Sequence, residues 1–497
     1  MELIGVLDIG TSSVRFIIFN LTGEVAAEAY QSIRQFYPRP GWVEEDPLEI
    51  WEASQKVIIK AIREPNVNTK NIIALGITNQ RESTLIWDKF NGNLLSKLIV
   101  WQDRRTSARC DELKNNRYED LIKNKTGLTI DPYFSATKLE WLLKNNFPPY
   151  EREKKSNLAF GTVDSWIIFK LTGKHLTDAS NASRTMLFNI HDGKWDNELL
   201  NIFNVPENIL PEVLSSYGNA IYGYTKKDSV FNQKIPLCSV FGDQQAALFG
   251  QRCFQKGDLK STFGTGSFIM MNTGTDKILS KNNLLTTIFY KSDCGKIFYA
   301  LEGSVYNTGS IFQWLKDGLG LISSYDEIEI LSSGLDYRND LYIVPALTGL
   351  GAPHWDPYAR GMIIGLTRST SKNEIIRAAM ESIAYRTRDV TDAMEKDCGI
   401  RVEQIKIDGG VSQNNLFCQI LSDLTGIKII KFDLKEITAL GAMYGAALGI
   451  GLWKHPDQIK EGRQFKEFSP VIDSSLRENL YRNWCRALSR SKKWIAE

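Results

Sequence analysis

The chain has 497 residues, of which 43% are hydrophobic and 24% are charged, and its formal net charge is +2. This length exceeds that of one ordinary hydrophobic core, so we expect two or three domains. The near-neutral charge argues against nucleic acid or an anionic membrane as a partner. The most apolar stretch, residues 440–453, contains four glycines. It is shorter than the roughly 20 residues of a membrane span, so we predict a tightly packed buried helix there and no membrane insertion.

The cysteines and histidines indicate neither a disulfide framework nor a metal site of their own. The seven cysteines are scattered and include no CxxC pair, and the four histidines show no ligand-like spacing. The first residues lead directly into an apolar segment without a basic region or a cleavage site, so we expect no signal peptide. The charged stretch 151–155 is predicted to be a solvated loop or helix face. These features together predict a cytoplasmic protein.

Three segments combine a predicted strand with a short turn rich in Gly, Thr, Ser or Asp, at 8–13, 264–267 and 408–414. The first belongs to a predicted β-meander, because apolar runs alternate with turn residues there. The third leads into a helical pattern. The predicted elements are strands at 3–7, 15–19, 25–30, 259–263, 268–273 and 405–407, and helices at 47–63, 373–396, 415–425 and 434–453.

The first two turns resemble each other and lie about half the chain apart, which predicts a duplicated core with one phosphate-binding turn in each half. Strands alternating with helices favour the α/β class. We place a domain boundary near residues 247–257, which divides the chain into domains at 1–250 and 251–497.

The turns have the chemistry that phosphate groups require. Glycine lets the backbone approach an oxyanion, Thr and Ser hydroxyls add donors, and an Asp at a strand end can hold Mg²⁺ through water. Either turn alone is better explained by a plain hairpin, but two of them together with Asp408-Gly-Gly410 favour a nucleotide site. The sequences GxxxxGK(S/T) and GxGxxG are absent, which excludes the P-loop and the usual dinucleotide fingerprint.

Other polar residues follow apolar runs and are candidates for an acceptor site. Asp243 comes after the run 235–241 and could accept a hydroxyl proton during phosphoryl transfer, although an Asp that caps a helix is equally common. Arg81 and Glu82 offer a donor and an acceptor to a polyol, or form a surface charge pair. The segments 101–106 and 131–138 place aromatic rings beside polar groups, as in a small-polyol pocket or a core with satisfied polar tips.

Ten motifs follow one another along the chain. They are Asp8-Ile-Gly-Thr11, Pro40-Gly-Trp-Val-Glu44, Asn79-Gln-Arg-Glu-Ser-Thr84, Val100-Trp-Gln-Asp-Arg-Arg-Thr106, Asp131-Pro-Tyr-Phe-Ser135, Ser180-Asn-Ala-Ser-Arg-Thr-Met-Leu-Phe-Asn189, Gly242-Asp-Gln-Gln-Ala-Ala247, Phe263-Gly-Thr-Gly266, Gly349-Leu-Gly-Ala-Pro353 and Asp408-Gly-Gly410. In this combination they resemble the FGGY carbohydrate kinases, and among them the glycerol kinases, and the resemblance runs from about residue 3 to about residue 485. Asn79–Glu82 and Asp131–Ser135 set the glycerol kinases apart from the xylulose and gluconate kinases of the same family.

The resemblance implies two ribonuclease H-like (actin-like ATPase) domains with a catalytic cleft between them. It also implies ATP-dependent phosphorylation of glycerol to sn-glycerol 3-phosphate with ATP and Mg²⁺ as cofactors, and a homodimer or homotetramer. The implied roles are these: Asp243 is the general base; Arg81, Glu82, Tyr133, Asp243 and Gln244 bind the hydroxyls; Trp101 and Phe268 pack on the carbon chain; Thr11, Ser12, Ser13 and Arg15 form the first phosphate site; Thr265 forms the second, with Gly309 and Gln313 nearby; Gly410 and Asn414 bound the adenosine pocket; and Asp8 with Asp243 holds Mg²⁺ largely through water.

The sequence departs from the glycerol kinase pattern at several positions. Position 9 is Ile where glycerol kinases carry Gln or Glu, and Val14 replaces a small residue. Relatives inhibited by fructose 1,6-bisphosphate carry a glycine-rich loop with an Arg, whereas residues 228–236 contain no glycine and only Lys234 near the Arg position. We therefore predict weak or absent inhibition. Two alternatives are a kinase of the same family for another small polyol or ketose, such as dihydroxyacetone, and a non-catalytic ATP-binding protein of the actin/Hsp70 group.

Overall fold

The computed structural model describes residues 1–146, 157–338, 340–433, 436–460 and 462–495. The charged stretch 151–155 lies outside these residues. Within them, no helix combines the length and the apolar character that crossing a membrane requires.

The first half is built on a five-stranded sheet in the order β5-β4-β1-β2-β3. Strands β1 to β3 form the predicted antiparallel meander, and β4 and β5 continue the sheet in parallel with β1. Strand β1 is buried along nearly its whole length because the sheet is covered on both faces. The strands are β1 (Leu3–Ile9), β2 (Ser13–Asn20), β3 (Val25–Ser32), β4 (Ile72–Asn79) and β5 (Leu237–Gly242).

The second half repeats this arrangement within a seven-stranded sheet. The strands are β6 (Leu259–Phe263), β7 (Ser267–Gly274), β8 (Leu285–Lys291), β9 (Ile297–Val305), β10 (Gln404–Asp408), β11 (Lys428–Phe432) and β12 (Phe465–Phe468). Their order is β8-β9-β7-β6-β10-β11-β12. The inner series β9-β7-β6-β10-β11 matches β3-β2-β1-β4-β5 in order and in strand direction. The predicted duplicated α/β fold with two ribonuclease H-like domains is therefore confirmed.

Short strands form small sheets at the periphery of the two main ones. They are Gln35–Phe36 with Glu44–Glu45 and Leu98–Ile99, Leu85–Asp88 with Leu158–Gly161, Leu176–Asp178 with Glu212–Leu214, Phe188–Asn189 with Lys194–Trp195, and Tyr342–Val344 with Met362–Ile364.

Local capping signals set several helix ends. Asp46 caps the first helix by accepting from the N–H of Leu48, and Ser371 with Glu374 forms a capping box on the longest one. The α-helices are α1 (Pro47–Ile62), α2 (Ser107–Asn115), α3 (Glu119–Thr126), α4 (Ser135–Asn146), α5 (Val163–Thr172), α6 (Ala179–Ala182), α7 (Asn197–Ile202), α8 (Asp243–Gly250), α9 (Gly309–Gln313), α10 (Glu327–Ser332), α11 (Lys372–Cys398), α12 (Asn415–Thr425), α13 (Ile437–Gly449) and α14 (Ser474–Ser491).

The predicted helix over 434–453 is longer than α13, which begins at Ile437 after its cap residue Glu436. Residues 434–435 lie outside the described part of the chain, and α13 ends at Gly449. The chain then turns, because Gly451 adopts φ +81 and the N–H of Leu452 donates back to Ala447 O. The expected burial of this helix is confirmed, since nearly all of its residues are buried.

Helices α8 and α13 lie between the two sheets and share one apolar cluster with both of them. They approach so closely that a Cβ on Gly441 would lie 1.8 Å from Ala246 O, and one on Gly250 would lie 2.1 Å from Ile437 O. Only glycine permits this contact. The pair fixes α8, and therefore places Asp243, its first residue, at the cleft between the halves.

Candidate active site

The turn between β1 and β2 forms one side of the cleft. Asp8 and Arg15 lie opposite each other in the two strands, and Thr11 Oγ1 accepts a 3.0 Å hydrogen bond from Trp101 Nε1. Of the other predicted phosphate-site residues, Ser12 is exposed in the turn and Ser13 is buried at the start of β2. The turn therefore presents Thr11 and Ser12 to the cleft.

Burial, together with nearby charged groups, shifts the pKa of Asp8. Its burial raises the pKa to about 7, although the Arg15 guanidinium opposes this, and the Glu436 and Asp243 carboxylates add to the rise. Arg15 donates through Nη1 to both carboxylate oxygens of Glu436, at 2.9 and 2.7 Å. Arg15 is still 40% exposed along its side chain, so it can also meet an anion in the cleft.

The turn between β6 and β7 holds the start of α9. The carbonyl of Gly264 accepts from the N–H of Gly309 at 2.9 Å, and the carbonyl of Thr265 accepts from the N–H of Thr308 at 3.0 Å. A Cβ on Gly309 would lie 2.7 Å from Gly264 O, so this approach requires glycine. The second phosphate-type turn and α9 therefore form one rigid unit.

A cavity of about 580 Å³ opens beside this unit. Its size falls within the range of small-molecule and cofactor pockets. The five residues predicted for the ATP side of the second half all line it, namely Thr265, Gly309, Gln313, Gly410 and Asn414. Sequence reasoning missed its apolar lining, which includes Phe312, Ile328, Val411 and Phe417.

Arg81 and Glu82 lie buried just after β4, on the other side of the cleft. Glu82 has φ +63, a conformation that is uncommon for a residue with a side chain. Its carbonyl accepts from the hydroxyls of Ser135 and Thr84, both at 2.9 Å, which holds this backbone in place. The surface charge pair considered as an alternative is therefore wrong, because both side chains are inside the protein.

Three aromatic rings form a wall next to these charges. The ring of Trp101 lies 5.6 Å from that of Tyr133 and 6.2 Å from that of Phe268, measured between centroids and in edge-to-face geometry. Burial raises the pKa of Tyr133 well above its ordinary value, so its hydroxyl stays protonated. The wall combines residues from both halves, since Phe268 belongs to β7.

Asp243 lies beside Arg81 and is electrostatically coupled to Asp8 of the first phosphate-type turn. Its Oδ1 is 3.3 Å from Arg81 Nε, and its side chain is 31% exposed whereas that of Arg81 is 1% exposed. Asp243 is the first residue of α8 and Gly242 occupies the capping position, so the helix-cap alternative is wrong. The carboxylate is accessible to a ligand in the cleft.

Gln244 connects Asp243 to a buried lysine that sequence reasoning missed. Gln244 Nε2 donates to Asp243 Oδ2 at 3.2 Å, and Gln244 Oε1 accepts from Lys260 Nζ at 2.6 Å. Since an ammonium can only donate, Lys260 fixes the amide of Gln244 with its nitrogen toward Asp243. Burial lowers the pKa of Lys260 to about 8, against the opposing effect of nearby carboxylates.

Glu302 and Arg184 complete a buried charge network that the sequence also left unassigned. Glu302 accepts from Arg81 Nη1 at 2.7 Å and from Arg81 Nη2 at 3.0 Å. Arg184 donates to Glu82 Oε1 at 2.6 Å and to Glu302 Oε1 at 3.1 Å. Burial alone would raise the pKa of Glu302, but Arg184 and Arg81 outweigh it and lower the pKa to about 2. The sequence signal was a charge within the apolar strand β9, which demands a buried partner.

The fold and the cleft define a two-domain kinase of the actin-like ATPase class. Sequence models of the FGGY family of carbohydrate kinases match both halves, the N-terminal domain at residues 3–250 and the C-terminal domain at residues 259–450. The chain therefore belongs to the FGGY family of carbohydrate kinases.

Individual relatives match over almost the whole chain. A glycerol kinase of Haloarcula marismortui is 46% identical over 505 residues, with 99% of each chain covered. Glycerol kinase 2 of Thermotoga maritima is 50% identical over 491 residues, with 98% of each covered. The solved structure of the Plasmodium falciparum glycerol kinase with ADP is 34% identical and superimposes with a TM-score of 0.92, covering 100% of this chain and 99% of that one.

Proposed function

We propose that this enzyme transfers the terminal phosphoryl group of ATP to a primary hydroxyl of glycerol and forms sn-glycerol 3-phosphate. The observation that carries the proposal is Asp243, a partly exposed carboxylate 3.3 Å from the buried Arg81 and electrostatically coupled to Asp8 of the first phosphate-type turn. The full-length similarity to glycerol kinases supports glycerol as the acceptor. The Plasmodium falciparum relative with ADP supports a nucleotide in the 580 Å³ cavity.

In the proposed reaction, Asp243 accepts the proton of the attacking hydroxyl. Arg81 Nε lies close enough to hold the carboxylate in one orientation, and Gln244 contributes a second contact to its other oxygen. Phosphoryl transfer depends mainly on positioning and charge neutralisation, so a base held by two neighbours meets the central requirement.

The acceptor pocket matches a short polyol. Arg81 and Glu82 supply a donor and an acceptor for hydroxyls, and Tyr133 adds a protonated phenol. The rings of Trp101 and Phe268 supply apolar surface for the carbon chain. A chain of three carbons with three hydroxyls uses each of these groups.

Asp8 and Asp243 would hold Mg²⁺. Each carboxylate raises the local negative potential at the other, as the pKa of Asp8 reflects, and hard oxygen ligands of this kind suit the ion. No group of three or more His, Cys, Asp or Glu residues in the described segments forms a dedicated metal cage. The proposed ion would be held mostly through water and nucleotide phosphates and would neutralise charge on the transferring group.

We further propose a domain boundary at 247–257, a cytoplasmic location, and a homodimer or homotetramer. The boundary proposal draws on α8, which ends at Gly250 before the second series of strands begins with β6. The oligomeric proposal draws on family resemblance alone and can be checked by light scattering.

The test is a coupled assay of ADP release with glycerol, dihydroxyacetone and a series of polyols, using the wild type, Asp243→Asn and Asp293→Asn. Asp293 is an exposed turn residue and serves as a matched control. We expect glycerol to be the best acceptor and Asp243→Asn to lower kcat roughly 100-fold or more, with Asp293→Asn at the wild-type rate. Equal rates for the wild type and Asp243→Asn would rule out Asp243 as the base, and a preference for another acceptor would reject glycerol.

A further inference from the structure

Glu302 and Arg184 are the two members of the buried charge network that the proposed function leaves without a role. Both are completely buried, and Glu302 lies in β9 of the second half whereas its partners Arg81 and Arg184 belong to the first. We propose that Glu302, together with Arg184, is a positioning residue that holds Arg81 and Glu82 in their polyol-binding geometry. This inference rests on the proposed function, because it deepens the account of the acceptor pocket.

Most N–H groups of the Arg81 guanidinium are already bonded to other side chains. A guanidinium has five N–H groups. Glu302 and Gln245 together take both hydrogens of Nη1 and one of Nη2. Within the described residues, this leaves Nε–H, which faces Asp243, and one hydrogen of Nη2. Glu302 therefore decides which edge of Arg81 remains free for a hydroxyl.

The side chain of Glu82 is held by the same network. Arg184 Nε donates to Glu82 Oε1, and the backbone of Glu82 is fixed by two hydroxyls. Oε1 of Glu82 is thus occupied, and no hydrogen bond to its Oε2 is found among the described residues, so Oε2 can accept from the polyol. Arg184 in turn is bound to Glu302, so a single carboxylate determines the orientation of both predicted polyol ligands.

The buried charge network is better explained by positioning of the acceptor ligands than by stabilisation of the fold. Buried ion pairs are a weak source of stability, because desolvation offsets their attraction. This network is also incompletely satisfied, since Arg184 Nη1 is buried without a hydrogen-bond partner among the described residues. A network kept for stability alone would be expected to satisfy every donor. Orientation of the acceptor ligands explains why these charges are buried at this place.

The test compares Michaelis constants for glycerol and for ATP in Glu302→Gln. This variant keeps the shape of the side chain and removes its charge. Because displacement of a positioning group by about 1 Å can cost about 100-fold, we expect the KM for glycerol to rise at least about 10-fold while the KM for ATP stays within about 3-fold. Arg184→Lys, which keeps the charge but loses the planar fork, should have the same selective effect.

The matched control is Glu381→Gln. Glu381 is also buried and accepts from Arg377 Nε at 2.7 Å, within α11. We expect it to leave both Michaelis constants unchanged. The inference is overturned if folded Glu302→Gln binds glycerol like the wild type, or if the two constants rise equally. Should Glu302→Gln not fold, Arg184→Lys decides by the same readout. An inactive wild type on glycerol would instead reject the proposed function, and the comparison would then use the acceptor that it phosphorylates.

Discussion

The contact between α8 and α13 predicts that a single methyl group at Gly441 damages both stability and catalysis. In Gly441→Ala, the new Cβ would lie 1.8 Å from Ala246 O, 2.7 Å from Ala246 C and 2.9 Å from Gly250 N. All three obstructing atoms are backbone, so no side chain can rotate away. Ordinary contact requires about 3.5 Å, and the two helices must therefore separate by roughly 1.7 Å to clear Ala246 O.

Two effects of opposite sign decide the change in stability. Ala is favoured over Gly inside a helix by about 1 kcal/mol. Overpacking a close contact costs typically about 1–3 kcal/mol and occasionally more. Because the overlap at Gly441 is deep and involves only backbone, we expect the clash to exceed the gain in helix propensity. The variant should unfold at a lower temperature than the wild type.

The same displacement reaches the active site, because Asp243 is the first residue of α8. A shift of about 1 Å in a catalytic group can cost about 100-fold in rate, so we expect kcat to fall by roughly 10- to 100-fold. The assay is thermal unfolding together with steady-state ADP release. Gly462→Ala is the control, since a Cβ there has no atom within 4 Å among the described residues. Wild-type kcat and thermal stability in Gly441→Ala would refute the reasoning.

Two further predictions concern buried titratable side chains. Lys260→Met should let the amide of Gln244 turn and thereby lower kcat/KM for glycerol about 10-fold, with the KM for ATP unchanged. A wild-type kcat/KM in this variant would contradict the orientation assigned to Gln244. Burial lowers the pKa of His175 from 6.5 to about 4. The unfolded chain therefore binds an extra proton between these pH values, and stability falls as pH drops through this window, by about 2 kcal/mol at pH 5. Denaturation at pH 7 and pH 5 should show a smaller loss in His175→Gln, and equal losses would exclude this linkage.

Local sequence signals predicted much of the fold. The helix Asn415–Thr425 and the strand Leu259–Phe263 have the predicted ends, because Asn414 caps the one and a glycine turn ends the other. The end of α13 was missed, since the apolar pattern continues past Gly449 while the backbone turns. Hydrophobic periodicity does not register such a backbone turn.

The candidate site was predicted only in part. Candidate site residues that are contiguous in sequence, such as Arg81-Glu82 and Asp243-Gln244, could be identified directly from their motifs. Their partners could not, because Glu302 lies 221 positions from Arg81 and only the folded chain brings the two together. A lone charge in an apolar strand predicts that a partner exists, but it does not identify which residue that is.

The two halves carry the same strand order but differ in where long segments interrupt it. In the first half, the proposed acceptor pocket is built largely from the segment between β4 and β5, and in the second the proposed nucleotide cavity is built partly from the segment between β9 and β10. The two halves of the duplicated scaffold thus have different proposed roles. Changes in the first half could alter the preferred acceptor without altering nucleotide binding in the second. If Glu302 positions Arg81 as proposed, it limits that independence, because a transplanted acceptor segment would still need a matching carboxylate at this position of the opposite half.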